Sequence, residues 1–142
     1  MKNIIDLIFY KTYLAYEKKN QSGRFFSSLY LSLVILFLCT PFYGLINDLL
    51  IAYSKSFLKW IFGIYVAMIF VSVFYRYGKR GMTLALTKQF GNRPNLKKMP
   101  SWPFFLILPL AMIIGIGSYI LLSIYCIKKY NLEGFLYKFF SE

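Results

Sequence analysis

Three long apolar runs dominate the alternation of hydrophobic and polar positions along the chain. The first, residues 25–47, carries no charge between Arg24 and Asp48. A helix of that length reaches about 35 Å at 1.5 Å per residue, enough for a hydrocarbon core of roughly 30 Å. The second, residues 57–75, contains one charge, Lys59, a turn from its end and next to Trp60. A lysine there can snorkel its amine to the headgroups while the indole sits at the interface. A buried soluble helix is the alternative for this run taken alone. The third uncharged run, residues 99–127, opens on Met99-Pro100-Ser101-Trp102-Pro103, a poor helix interior but a good entry, so the span proper is expected over 104–126. Pro41 and Pro109 should kink the first and third spans, because each deletes a backbone bond to residue i−4.

Shorter apolar stripes lie outside the runs. Ile5, Ile8, Phe9, Thr12, Tyr13 and Tyr16 share one helical face within residues 1–24. Leu132, Phe135, Leu136, Phe139 and Phe140 recur at helical spacing within 128–142. Both stripes predict helices lying in a membrane surface. A weaker stripe runs over 81–90, inside a basic loop of residues 76–98, before Gly91-Asn92-Arg93-Pro94-Asn95 breaks it. The 24 residues before the first run are too many for a short signal n-region, and the run reads as a retained span. The expected fold is therefore all-α and membrane-integral: three transmembrane helices (25–47, 57–75, 104–126) with amphipathic helices at both ends, in one domain.

Composition sharpens this picture. Of 142 residues 58% are hydrophobic and 15% charged, against about 45–50% and 25% for a soluble domain. The net charge is +12, and its placement gives an orientation. Residues 1–24 carry five Lys or Arg and residues 76–98 carry seven, whereas the segments expected on the opposite side carry five in all. Positive segments stay cytoplasmic, which predicts the N-terminus and the basic loop inside and the C-terminus outside. A two-span reading, with one run re-entrant, would put the tail inside as well.

Few residues offer chemistry. There is no His, which removes the commonest general base, and two Cys without His exclude the common zinc sets within one chain. Cys39 and Cys126 are expected at depths about 12 Å apart, too far for a disulfide, whose Cα atoms lie within about 7 Å. No phosphate loop, carboxylate pair or nucleophile–base pair is present, so no enzyme activity and no cofactor are expected. Asp48, beside Asn47 and past the Pro41–Gly44 break, is a candidate membrane-embedded polar site with Tyr65 and Tyr119. Its plainer role is to end the first span in the outer headgroup layer. Tyr30, Thr40, Ser72 and Ser118 could extend a polar path, or simply bond helix carbonyls.

Small residues give the better signal. Ser28 and Ser32 in the first span, Gly63 and Ala67 in the second, and Ala111, Gly115 and Gly117 in the third give each span a face where backbones can approach closely. Packing of the three helices on one another could use all of them, or leave one for a partner. The basic loop residues Arg76, Lys79, Arg80, Lys88, Arg93, Lys97 and Lys98 are candidates for contact with anionic lipid or an acidic partner, or serve only to fix topology. No nucleic-acid fold fits in a loop of this length.

Phe9-Tyr10-Lys11-Thr12-Tyr13, Glu17-Lys18-Lys19-Asn20 and Phe25-Phe26-Ser27-Ser28, with Phe74-Tyr75-Arg76-Tyr77-Gly78-Lys79-Arg80, resemble small uncharacterised bacterial inner-membrane proteins. Those open on a Tyr- and Lys-rich interfacial helix. The resemblance covers about a third of the chain and implies a bacterial inner membrane, without implying an activity. Three functions are consistent with the residues: an accessory subunit that binds a membrane protein partner, a self-assembling pore of the holin or toxin kind, and a small oligomeric transporter.

Overall fold

The computed structural model describes residues 4–50, 55–92 and 98–128, with the backbone alone at 55 and 126–128. The expected tail helix, Arg93 and Lys97 lie outside the described residues, as does the Cys126 side chain. Among the described residues these α-helices are delimited in chain order: α1 (Ile4–Glu17), α2 (Gly23–Leu49), α3 (Lys55–Tyr77), α4 (Arg80–Gly91), α5 (Trp102–Phe105) and α6 (Ile107–Leu122). The last ends in a π-helical turn at Ser123–Lys128. No strand occurs among the described residues. Three helical stretches, Gly23–Leu49, Ser56–Tyr77 and Trp102–Tyr125, are long and apolar enough to cross a membrane.

Contacts divide the chain into two compact units, Met1–Val34 with Ile69–Pro109, and Ile35–Met68 with Leu110–Glu142. In the first unit α1 touches α4 and α5. Residues 8–12 are buried in succession, and Phe9 is 0% exposed. The middle of α1 packs against its own chain, while Ile4, Ile5 and Glu17 at its ends are exposed. The Phe9 ring packs tilted against Tyr77 (centroids 4.6 Å apart), Tyr10 tilted against Phe90 (5.4 Å), and Tyr16 tilted against Phe26 and edge to face with Phe105. From Ile8 to Tyr16 the stripe thus packs on protein, which an apolar periodicity cannot distinguish from lipid.

Helix α1 stops at Asn20. Its φ of 54° is left-handed, Asn20 N–H donates to the Glu17 carbonyl, and Gln21 N–H donates to the Tyr16 carbonyl. These are the two bonds of a Schellman cap, with Asn in the position more often held by Gly. The cap turns the chain into Gly23, against which Tyr13 and Glu17 lie so closely that a Cβ would meet them at 3.0 and 2.6 Å.

The basic loop contains a helix. Residues 80–91 form α4, with Thr83, Leu86 and Phe90 buried at i, i+3 and i+7. The third span also departs from expectation at its entry. It begins at Trp102 and breaks at Leu106, three residues before Pro109. Pro109 cannot donate to the carbonyl of residue 105, and its ring crowds that carbonyl, so the helix restarts one turn earlier. Tyr30 fills the gap: its hydroxyl donates to the Phe104 carbonyl (2.6 Å) and accepts from Leu108 N–H (3.1 Å).

In the second unit α2 runs unbroken through Pro41. Proline leaves the Phe37 carbonyl without its i+4 donor, and Gly115 comes up against that oxygen so tightly that any Cβ would overlap it. Leu36, one residue earlier, has its carbonyl bonded by Thr40 (3.1 Å) and Tyr65 (2.8 Å). Tyr43 stacks on Tyr65 with centroids 5.0 Å apart.

Candidate functional site

Asp48 stands in the last turn of α2 and is 8% exposed, enclosed by neighbouring side chains. Gly44, four residues back on the same face, leaves room for the Tyr119 ring, which a Cβ there would overlap. The Tyr119 hydroxyl then donates to the carboxylate at 3.1 Å, and Ser123, one turn further along, donates at 3.1 Å. The structure therefore brings together two of the four residues of the expected polar site and adds Ser123, which periodicity did not single out. Asn47 is half-buried on another face, and Tyr65 is occupied by the Leu36 carbonyl. Thr40 and Tyr30 likewise bond backbone carbonyls. Thr40 bonds within its own helix, whereas Tyr30 and Tyr65 join helices, and an acid held by the hydroxyls of Tyr119 and Ser123 is a structural bond as much as a proton site.

The candidate basic surface separates into distinct environments. Arg76 pairs with Asp6 at 3.3 Å, and Tyr77 donates to the same carboxylate oxygen at 2.5 Å. Asp6 is almost wholly buried and was not singled out by the stripe; its place one turn before Phe9 and Tyr10 was the available signal. Lys79 sits over the Tyr75 ring at 3.8 Å. Lys88 and Lys98 are exposed. Lys11 is 2% exposed and donates to the Met99 carbonyl at 2.7 Å. Burial, and then the charge of Lys18, bring its amine below the ordinary value of 10.5.

Arg80 lines a cavity of about 460 Å³ with Tyr13, Glu17, Arg24, Thr83 and Thr87. Arg80, Thr83, Leu84 and Thr87 share one face of α4 at i, i+3, i+4 and i+7, while Tyr13 and Glu17 are a turn apart on α1. Burial raises the Tyr13 phenol above 10.0, and its hydrogen bond to Glu17 adds to the rise. Arg24 and Arg80 are exposed, and neither stands in an ion pair among the described residues.

The small residues divide by use. Ser28 and Ser32 are fully buried, as is Ser27; the Ser27 and Ser28 hydroxyls have no hydrogen-bond partner among the described residues. Ala111 and Gly115 are buried too. Gly63 and Ala67 are exposed, and a Cβ at Gly63 or at Gly117 would meet nothing within 4 Å. Cys39 is unbridged and half-buried. Among the described residues no three His, Cys, Asp or Glu side chains gather to hold a metal. Comparison with protein families, with characterised proteins and with solved structures finds no match to this chain.

Proposed function

We propose that this chain is a non-enzymatic accessory subunit of a membrane complex, seated in a bacterial inner membrane with its N-terminus and the α4 segment in the cytoplasm. The observation that carries this reading is Gly63. A glycine inside a helix weakens it by about 1 kcal/mol relative to alanine, which close backbone approach can offset. Gly115 has such a neighbour in the Phe37 backbone and Gly44 admits the Tyr119 ring; Gly63, one turn from the exposed Ala67, has no neighbour of either kind among the described residues. Helix α3 is also the barest span: 6% of its most apolar stretch is buried within the chain, against 33% for α2 and 11% for the third span. Large side chains would serve equally well against lipid, whereas small ones suit another helix. The orientation rests on the twelve Lys and Arg of residues 1–24 and 76–98 against five elsewhere.

The test is to extract the protein at native expression level into lipid nanodiscs and identify what co-purifies, for the wild type and for Gly63→Leu. A stoichiometric, unrelated membrane protein that is lost in the variant supports the accessory role. Recovery of this chain alone, in a closed ring that conducts in planar bilayers, would replace it with a self-assembling pore.

A further inference from the structure

We infer that the cavity between α1, the start of α2 and α4 binds the headgroup of a phospholipid carrying a phosphate and a primary ammonium, as in phosphatidylethanolamine. Two guanidinium groups, Arg24 and Arg80, border it, and neither is used in an ion pair among the described residues. Guanidinium forks match phosphate oxygens two at a time. An ammonium needs acceptors, and the same cavity offers them. Glu17 supplies a carboxylate. Thr83 and Thr87 spend their hydroxyl protons on the Arg80 and Thr83 carbonyls (2.8 and 2.9 Å), which leaves their oxygens free to accept. Both signs of charge in a cavity of about 460 Å³ fit a zwitterion of headgroup size better than a simple anion.

A free phosphate compound would satisfy the same polar groups, but a second feature selects a lipid. Arg24 also borders an adjoining cavity of about 290 Å³ lined by Ser22, Phe25, Phe74 and Gly78. Phe25 and Phe74 pack edge to face there, 5.7 Å between centroids. One arginine thus joins a polar compartment to an aromatic one, as a phosphate joins a headgroup to acyl chains. Arg24 stands in the first turn of α2, the level at which a helix spanning a bilayer meets the headgroups.

Native mass spectrometry of the delipidated full chain in detergent tests this, with phosphatidylethanolamine, phosphatidylglycerol and water-soluble glycerophosphoethanolamine as probes. One phosphatidylethanolamine should be retained per chain, in preference to phosphatidylglycerol. Arg80→Gln should weaken it by about tenfold or more, the scale of a lost charged hydrogen bond, and Glu17→Gln should abolish the preference. Equal retention of the two lipids by the wild type would overturn the zwitterion assignment without depending on any variant. Binding of the soluble probe as tight as that of the lipid would overturn the lipid assignment in favour of a free phosphate compound. The inference shares only the membrane placement of α2 with the accessory role: a protein that keeps its partner but no such lipid refutes the cavity alone.

Discussion

The Tyr30 hydroxyl stands where Leu108 N–H would otherwise bond within its own helix, accepting that hydrogen at 3.1 Å while donating to the Phe104 carbonyl at 2.6 Å. Phe104 and Leu108 are four apart, so their groups would be partners in an unbroken helix. The tyrosine converts a helix break forced by Pro109 into a bond between α2 and the entry of the third span.

Tyr30→Phe should therefore lower stability by about 1–3 kcal/mol, because it strands a buried donor and a buried acceptor together. Tyr65→Phe should cost less, since the Leu36 carbonyl keeps the Thr40 hydroxyl. Unfolding equilibria in mixed micelles compare the two, and equal losses would show that the bridge is unimportant.

Gly115 and Gly63 should answer oppositely to alanine. At Gly115 the new methyl overlaps the Phe37 carbonyl oxygen, a backbone atom that cannot swing away. Strain of this kind costs about 1–3 kcal/mol. At Gly63 it enters open space, so isolated Gly63→Ala should gain up to about 1 kcal/mol from helix propensity. The same unfolding assay reads both.

Ser27 and Ser28 carry a subtler expectation. Both are fully buried and their hydroxyls lack partners among the described residues. Their value is small size, so Ser28→Ala should be neutral or stabilising by about 1 kcal/mol, whereas Ser28→Leu should disrupt the fold. A large loss on Ser28→Ala would instead reveal a hydroxyl contact with a bound molecule, readable by native mass spectrometry.

How much of this was legible in the residues follows from the scale of each signal. Apolar runs of nineteen or more residues at 25–47, 57–75 and 99–127, with Lys59 the one charge within them, reveal helices of membrane-spanning length, since length and apolarity are local properties. The side of α1 that is buried was not legible. Phe9 and Tyr10 look the same whether their neighbours are lipid tails or Tyr77 and Phe90. Asp48 ends an apolar run, which is a local signal, but its environment comes from Gly44 admitting the ring of Tyr119, which lies 71 residues beyond Asp48. The cavity at Arg80 needed α4 to be a helix, and a run of positive charge with a weak apolar stripe gave little notice of it.

Asp48 and Tyr119 should be energetically coupled. In a double-mutant cycle of Asp48→Asn and Tyr119→Phe, the interaction energy should be about 0.5–3 kcal/mol, as for partners in one polar network. Ser123→Ala should reduce that coupling only partly, because each hydroxyl bonds the carboxylate directly. Additive effects would place the carboxylate outside the network and reopen a role for it in proton or ion passage.

Lys11 gives the chain a pH dependence of definite sign. Its amine is held below 10.5 in the folded state, by burial first and by Lys18 second. Between that lowered value and 10.5 the folded chain binds fewer protons than the unfolded one, so stability rises with pH across this window. Tyr13 and Tyr16 act in the opposite direction. Burial raises both phenols above 10.0, so above that pH the folded chain retains protons that the unfolded one has lost, and stability falls. A maximum near pH 10 is expected, with a rising limb at lower pH. Lys11→Met keeps the buried stem but has no proton to exchange. Unfolding followed from pH 7 to 11 should show that limb flattened in the variant while the fall above pH 10 persists; an unchanged limb would mean that other groups produce it.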